Sequence, residues 1–213
     1  MNQLSELGTS RRQQKNEETR RKLYGAMEQI MNEYDYNTVT IRNICKVAGV
    51  AYGSFYNLFD NKETFLMYYL SYDFLEYQKT YYDGRPEFTS MNNIEKSIDI
   101  FVCCANYNVE KGIKFIRGFY LPNNGSLFPN ADAPDKDYAF TPLVRQGSEI
   151  LDKAKESGEL PVSVDSREMI YMYCYLFNGI TFNWCLSGGK MDIVAWTERV
   201  LKSYAMTKQR ENG

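Results

Sequence analysis

The chain has 213 residues, 44% of them hydrophobic and 24% charged, which is enough apolar content for one large domain or for a small head on a larger body. It contains no histidine, so the commonest general base and the commonest metal ligand are missing together. With no Gly-rich phosphate loop, GxSxG elbow or ligand-spaced cysteine cluster either, the sequence points away from an enzyme, and neither a cofactor nor a metal is expected.

The net charge of −2 divides unevenly along the chain. Residues 1–62 carry nine Lys/Arg against seven Asp/Glu, and the remainder carries 16 against 20. A mildly basic head on an acidic body has the right sign for a nucleic-acid partner, but the bias is small. The polar start of the chain has no apolar core of a signal peptide, and no run approaches the roughly 18 apolar residues of a membrane span. A cytoplasmic protein without a membrane partner is expected. Its five cysteines, at positions 45, 103, 104, 174 and 185, form no CxxC pair and read as buried reduced thiols. A redox role for the adjacent Cys103 and Cys104 stays open.

Residues 1–15 lack periodicity and are expected to be a flexible arm, whose Arg11, Arg12 and Lys15 either touch phosphate or are merely solvated. From Asn16 to about Tyr34, Leu23, Met27, Ile30, Met31 and Tyr34 share one helical face. Two short helices are predicted at 40–47 and 51–58, around Ala48-Gly49-Val50. A long helix follows from about Asn61 to Tyr82, with Asp60 and Glu63 as a capping-box-like start and Gly84-Arg85-Pro86 as its stop. Further helices are predicted at 91–107, 109–120, 139–157, 165–186 and 190–207, with three prolines in the loop before residue 139. Asp165 with Glu168 caps the segment 165–186, which is apolar on more than one face and needs either a core or a second chain around it. The expected domains are therefore an arm (1–15), a helix-turn-helix head (16–62) and a helical body (63–213).

The most specific stretch is Tyr36 to Leu66. Thr40 stands at an N-cap position, and Ile41, Ile44, Cys45 and Ala48 form a buried stripe. Gly49 supplies a turn conformation that a Cβ would resist. Val50, Phe55 and Phe59 pack the second helix back onto the first. Arg42, Tyr52, Gly53, Ser54, Tyr56 and Asn57 are left facing outward, a surface rich in donors for phosphates and base edges.

Through Thr40, Ile44, Ala48-Gly49-Val50, Gly53, Ser54-Phe55-Tyr56, Phe59, Asn61-Lys62-Glu63 and Leu66, the sequence resembles the TetR/AcrR family of one-component repressors. The resemblance covers about residues 16–66; beyond them only the helical layout agrees. It implies an all-α fold of about nine helices, in which a three-helix head is joined by a long helix to a body for ligand binding and dimerisation. It further implies that Arg42 and Tyr52, with Gly53, face bases. Thr40, Ser54, Tyr56, Asn57 and Lys62 complete the DNA-binding set, the last four on phosphates. Ala51 departs from the family's usual capping residue, which predicts a cap weaker by about 1 kcal/mol. Leu58 departs from its usual histidine or aromatic.

For the body, the resemblance implies an effector zone containing Tyr69, Phe74, Tyr77, Phe101, Cys104, Tyr107, Phe115, Phe119 and Tyr173. It also implies a dimer interface on the last two helices, with Ile180, Trp184, Ile193, Trp196, Val200 and Tyr204. The expected partners are double-stranded operator DNA, a small lipophilic or aromatic effector of unknown identity, and a second copy of the chain. The alternative is a helical ligand-binding or interaction protein that has lost DNA binding.

Overall fold

The structure, a computed structural model, describes residues 11–33, 39–119 and 141–210, and every regular element among them is a helix. The chain divides after Leu66 into two compact units, a head and a body.

In the head, α1 (Arg11–Glu33) begins five residues before the apolar periodicity does. Its first turns are Arg, Gln and Lys, good helix formers with no buried face, so their propensity shows in no hydrophobic pattern. Arg11, Arg12 and Lys15 are thus helical rather than part of an arm, and residues 1–10 lie outside the described set. Leu23, Met27 and Ile30 are buried as their spacing predicts, while Tyr34 lies outside the described residues. Next come α2 (Ile41–Ala48) and α3 (Tyr52–Tyr56). Thr40 caps α2, its Oγ1 accepting from the Asn43 N–H at 3.2 Å. At the other end Gly49 takes φ 63°, ψ 32°, a left-handed cap whose N–H turns back to the Cys45 and Lys46 carbonyls.

The second motif helix is shorter than 51–58. After Tyr56 the backbone tightens, and the Leu58 and Phe59 N–H groups both donate to the Phe55 carbonyl at 2.9 Å. That turn carries the Phe59 ring inward. Phe55, Phe59 and Phe65 meet at centroid separations of 5.1 to 5.5 Å, and Tyr24 of α1 joins them at 5.8 Å from Phe65. Four aromatic rings therefore form a cluster within the core, beside buried Leu23, Met27, Ile44 and Leu66.

The long helix α4 runs Lys62–Asp83. Its cap is Asn61, not Asp60: Asn61 Oδ1 accepts from the Thr64 N–H at 2.7 Å. The Phe65 N–H donates to the Asn61 carbonyl, which makes Asn61 the first half-helical residue and leaves Asp60 one position too early. The division between the units falls inside α4, so one continuous helix belongs to both.

The body contains α5 (Glu87–Ser90), α6 (Asn93–Lys111), α7 (Ile113–Phe119), α8 (Thr141–Glu156), α9 (Ser166–Leu186) and α10 (Ile193–Arg210). Helix α5 was not expected, because four residues are too few to show a period. Helix α6 is the hub, packing on α8 and α10, and α9 packs on α8 and α10. Its start is fixed twice. Asn92 and Glu95 form a capping box, and the Glu159 carboxylate, from the α8–α9 turn, accepts from the Asn93 and Ile94 N–H groups at 2.7 and 3.1 Å. Asp165 caps α9 through the Glu168 N–H at 2.9 Å, as its sequence predicts. Gly147 lets α8 approach α9 closely, since a Cβ there would lie 2.6 Å from the Ile170 Cδ1. All five cysteines are buried free thiols. Burial pushes the thiol pKa values up, well above normal for Cys104 and to about 12 for Cys174, which is the opposite of a reactive sensor.

Candidate nucleic-acid interface

The head's outward surface follows from what its inward one consumes. On α2, Ile44 and Cys45 are buried, which turns Arg42, Asn43 and Lys46 to solvent. On α3, Phe55 has no exposed surface, so Tyr52, Gly53 and Tyr56 stand on the opposite side. Tyr52 and Tyr56 are 47% and 45% exposed, unusual for aromatic side chains unless something covers them.

These two tyrosines form a unit. One helical turn apart, their rings pack edge-on with centroids 5.2 Å apart, and their hydroxyls share a hydrogen bond of 3.1 Å. That bond, then slight desolvation, holds the Tyr56 phenol above its ordinary pKa. Gly53 lies between them with an ordinary helical backbone, and a Cβ there would meet nothing within 4 Å. Nothing within the fold requires this glycine; a missing side chain at an exposed helix start leaves room for close backbone approach from outside.

Ser54 is half-buried and its N–H donates to the Ala51 carbonyl at 2.8 Å. Asn57 is exposed at the end of α3. Thr40 is exposed, with its hydroxyl oxygen engaged as a cap. Lys62 is half-buried at the first residue of α4, and burial lowers its ammonium pKa, with Glu63 opposing. Ala51 already has the extended backbone of an N-cap (φ −62°, ψ 138°) but offers no side-chain hydrogen bond. Sequence reasoning passed over Val47, which is 44% exposed on α2, because a valine carries no donor; the buried stripe Ile44–Cys45 already implied it. On α1, Arg20, Arg21 and Lys22 pair with Glu17 and Glu18 at 3.6, 3.8 and 2.7 Å, so these cations are partly neutralised.

The body residues named above divide into groups. Phe74 and Tyr77 pack on Tyr107 at 5.6 and 5.4 Å, Tyr69 on Phe115 at 6.3 Å, and Phe101 on Tyr173 at 5.6 Å. Cys104 is buried beside them on α6; Phe119 ends α7, and its side chain is not among those described. On the last two helices, Trp184 and Ile193 are 4% and 1% exposed within a single chain, so they have no surface left to give a partner. Tyr204 packs its ring on Tyr173 at 5.9 Å, and Ile180 and Val200 are half-buried. Trp196 is 43% exposed, under the Arg199 guanidinium at 3.7 Å. The face left open is instead Tyr175, Phe182, Leu186, Trp196 and Met206. A helix apolar on two sides gives no sequence signal as to which side its own core takes.

Comparison with known proteins adds to this geometry. Residues 24–68 match the family described as "Bacterial regulatory proteins, tetR family". No curated protein matches the chain in sequence. Among solved structures, Thermus thermophilus FadR, described as a TetR-family transcriptional repressor in complex with lauroyl-CoA, superposes with a TM-score of 0.64 at 19% identity, over 91% of this chain and 96% of that one. TylP, a TetR regulator from Streptomyces fradiae, gives 0.57 at 23% identity, over 92% and 82%. A regulator from a Rhodococcus species gives 0.59 at 14% identity, over 90% and 99%.

Proposed function

We propose that this chain, which belongs to the tetR family of bacterial regulatory proteins through its residues 24–68, acts as a cytoplasmic homodimeric repressor released from a palindromic operator by a lipophilic effector. The observation that carries the reading is the outward face of α2 and α3: a cation, two paired tyrosines, an amide and a bare glycine, all left exposed by the head's own packing. Arg42 suits a guanine edge, Tyr52 a thymine methyl, and Ser54, Tyr56, Asn57 and Lys62 suit phosphates, with Thr40 setting the start of α2.

Two copies related by a two-fold axis through the Tyr175–Phe182–Leu186 and Trp196–Met206 face would present two α3 helices to two half-sites. The effector zone of this reading is the aromatic cluster of Tyr69, Phe74, Tyr77, Phe101, Tyr107 and Tyr173. The lauroyl-CoA bound by the Thermus protein makes long-chain acyl thioesters the first class to try. Occupation of that zone shifts α4 beyond Lys62, changes the separation of the two heads and lowers operator affinity. Among the described residues no helix is long and apolar enough to cross a membrane.

The test is selection of a duplex from a random library by the full chain, followed by titration at several salt concentrations. A palindrome should be enriched, with affinity falling roughly a hundredfold between 50 and 200 mM salt if about four phosphates are neutralised per dimer. Tyr56→Ala with Lys62→Ala should abolish binding. A chain that enriches no duplex, while still binding lauroyl-CoA, would instead be a ligand-binding protein that has lost its DNA partner.

A further inference from the structure

Helix α4 is tied to α6 at two places of different strength. At its end, the Arg85 guanidinium spans both oxygens of Asp99 at 3.1 and 3.4 Å, donates through Nε to Glu87 at 3.0 Å, bonds the Tyr81 hydroxyl, and lies 4.6 Å above the Tyr81 ring. The Asp99 side chain is only 7% exposed. An arginine that holds a buried carboxylate, a second carboxylate and a tyrosine at once is a fixed point.

The second tie, at mid-helix, converges on one side chain. The Tyr107 hydroxyl donates to Asp73 Oδ2 at 2.6 Å, and Lys111 Nζ reaches the same oxygen at 2.6 Å. The Tyr107 ring is wrapped by Phe74 and Tyr77 of α4, and the Lys111 ammonium lies 5.5 Å from its centre. Asp73, Phe74 and Tyr77 occupy one turn of α4, and all three meet the Tyr107 side chain of α6. Its carboxylate is more open than that of the end tie, Asp73 being 20% exposed against 7% for Asp99.

We propose that Asp73, Tyr107 and Lys111 form a releasable clasp that holds α4 in its operator-competent position, with Arg85–Asp99 as the fixed point about which the helix tilts when the clasp opens. The proposal rests on the regulatory reading above and names the residues through which that regulation acts. An apolar molecule inserted between α4 and α6 has to displace the Tyr107 ring, and the ring cannot move without carrying its hydroxyl away from Asp73. The change at Asp73 is made on α4, the helix that Lys62 begins. Tyr107 is thus a positioning residue, acting on DNA only through α4.

The experiment uses the full chain and the duplex enriched by the wild type. Tyr107→Phe keeps the ring and removes the hydroxyl, Asp73→Asn keeps the shape and removes the charge, and the double variant removes both partners. Leu160→Ala, in the α8–α9 turn and 2% exposed, supplies a variant destabilised away from α4. The expected result is that each clasp variant weakens operator binding about tenfold. The double variant should be no weaker than the weaker single one, and Leu160→Ala should bind like wild type despite an equal or larger drop in Tm. Clasp variants that bind as well as wild type or better, or that lose affinity only in step with Tm as Leu160→Ala does, overturn the clasp and leave the regulator standing. A wild type that enriches no duplex removes the regulatory reading, and the clasp falls with it.

Discussion

Head and body solve opposite problems with the same kinds of residue. In the head, four aromatic rings cluster in a core otherwise built of aliphatic side chains, while tyrosine, arginine and asparagine side chains on α2 and α3 face solvent. In the body, tyrosine, arginine and aspartate are turned inward, where Tyr107, Asp73, Arg85 and Asp99 join one helix to another. The difference teaches where to look for function. Polar groups already paired within the chain position helices, whereas an exposed aromatic–polar surface without a structural purpose waits for a partner.

The sharpest way to break this contrast is to remove the keystone of the smaller core. Phe55 has no exposed surface and touches Tyr56, Phe59 and Phe65. Phe55→Ala should cost about 3–5 kcal/mol, a large share of what so small a unit can hold. Hydrogen exchange should then show amides of residues 39–66 losing protection while those of α6 and α10 keep theirs. Equal loss in both would mean that the two units are not separately stabilised.

A second change probes the body's inward polar groups. Glu159 accepts from Asn93 and Ile94 N–H groups, the Asn93 side chain at 2.7 Å and Ser157 at 2.8 Å. Burial works to raise its pKa, but these hydrogen bonds together outweigh it and hold the carboxyl below its ordinary 4.5. In acid the unfolded chain therefore takes up this proton first, so stability present at neutral pH is lost as pH falls from about 4.5 through the lowered folded value. Glu159→Gln should cost about 1–2 kcal/mol at pH 7 and remove this part of the acid dependence. Urea melts between pH 7 and pH 3 measure both; a parallel loss at every pH would deny the carboxylate its capping role.

How far the sequence reaches also differs between the units. In the head much of the core has its mark in the spacing: Leu23, Met27, Ile44, Phe55 and Phe59 are buried, Thr40 caps, and Gly49 turns left-handed, while the buried rings of Tyr24 and Phe65 had no such mark and Ile41 and Ala48 are only half-buried. The cap of α4 was missed by one residue, because Asp60 and Asn61 are both good caps and only the hydrogen-bond register chooses between them. In the body, helix existence was legible but partners were not. Asp73 with Tyr107, and Asn93 with Glu159, are 34 and 66 residues apart, and no local pattern joins them. The resemblance implied Trp184 and Ile193 for an interface with a second chain, and within one chain both are buried.

The smallest expected effect bears on the exposed side of the head. Ala51 already has the extended backbone of an N-cap but no oxygen to offer, so α3 begins without a side-chain cap. Ala51→Ser adds that oxygen without any backbone rearrangement, and it should stabilise the head by about 0.5–1 kcal/mol, read from the denaturant midpoint of its unfolding. Operator affinity tells the two sources of a gain apart. If α3 is already fully formed in the free protein, as the Tyr52–Tyr56 bond implies, the midpoint rises while affinity stays the same. If affinity rises with the midpoint, α3 is partly frayed when free and ordering it is part of the work of binding, and the contrast between a preformed outward surface and a fixed interior has to be redrawn.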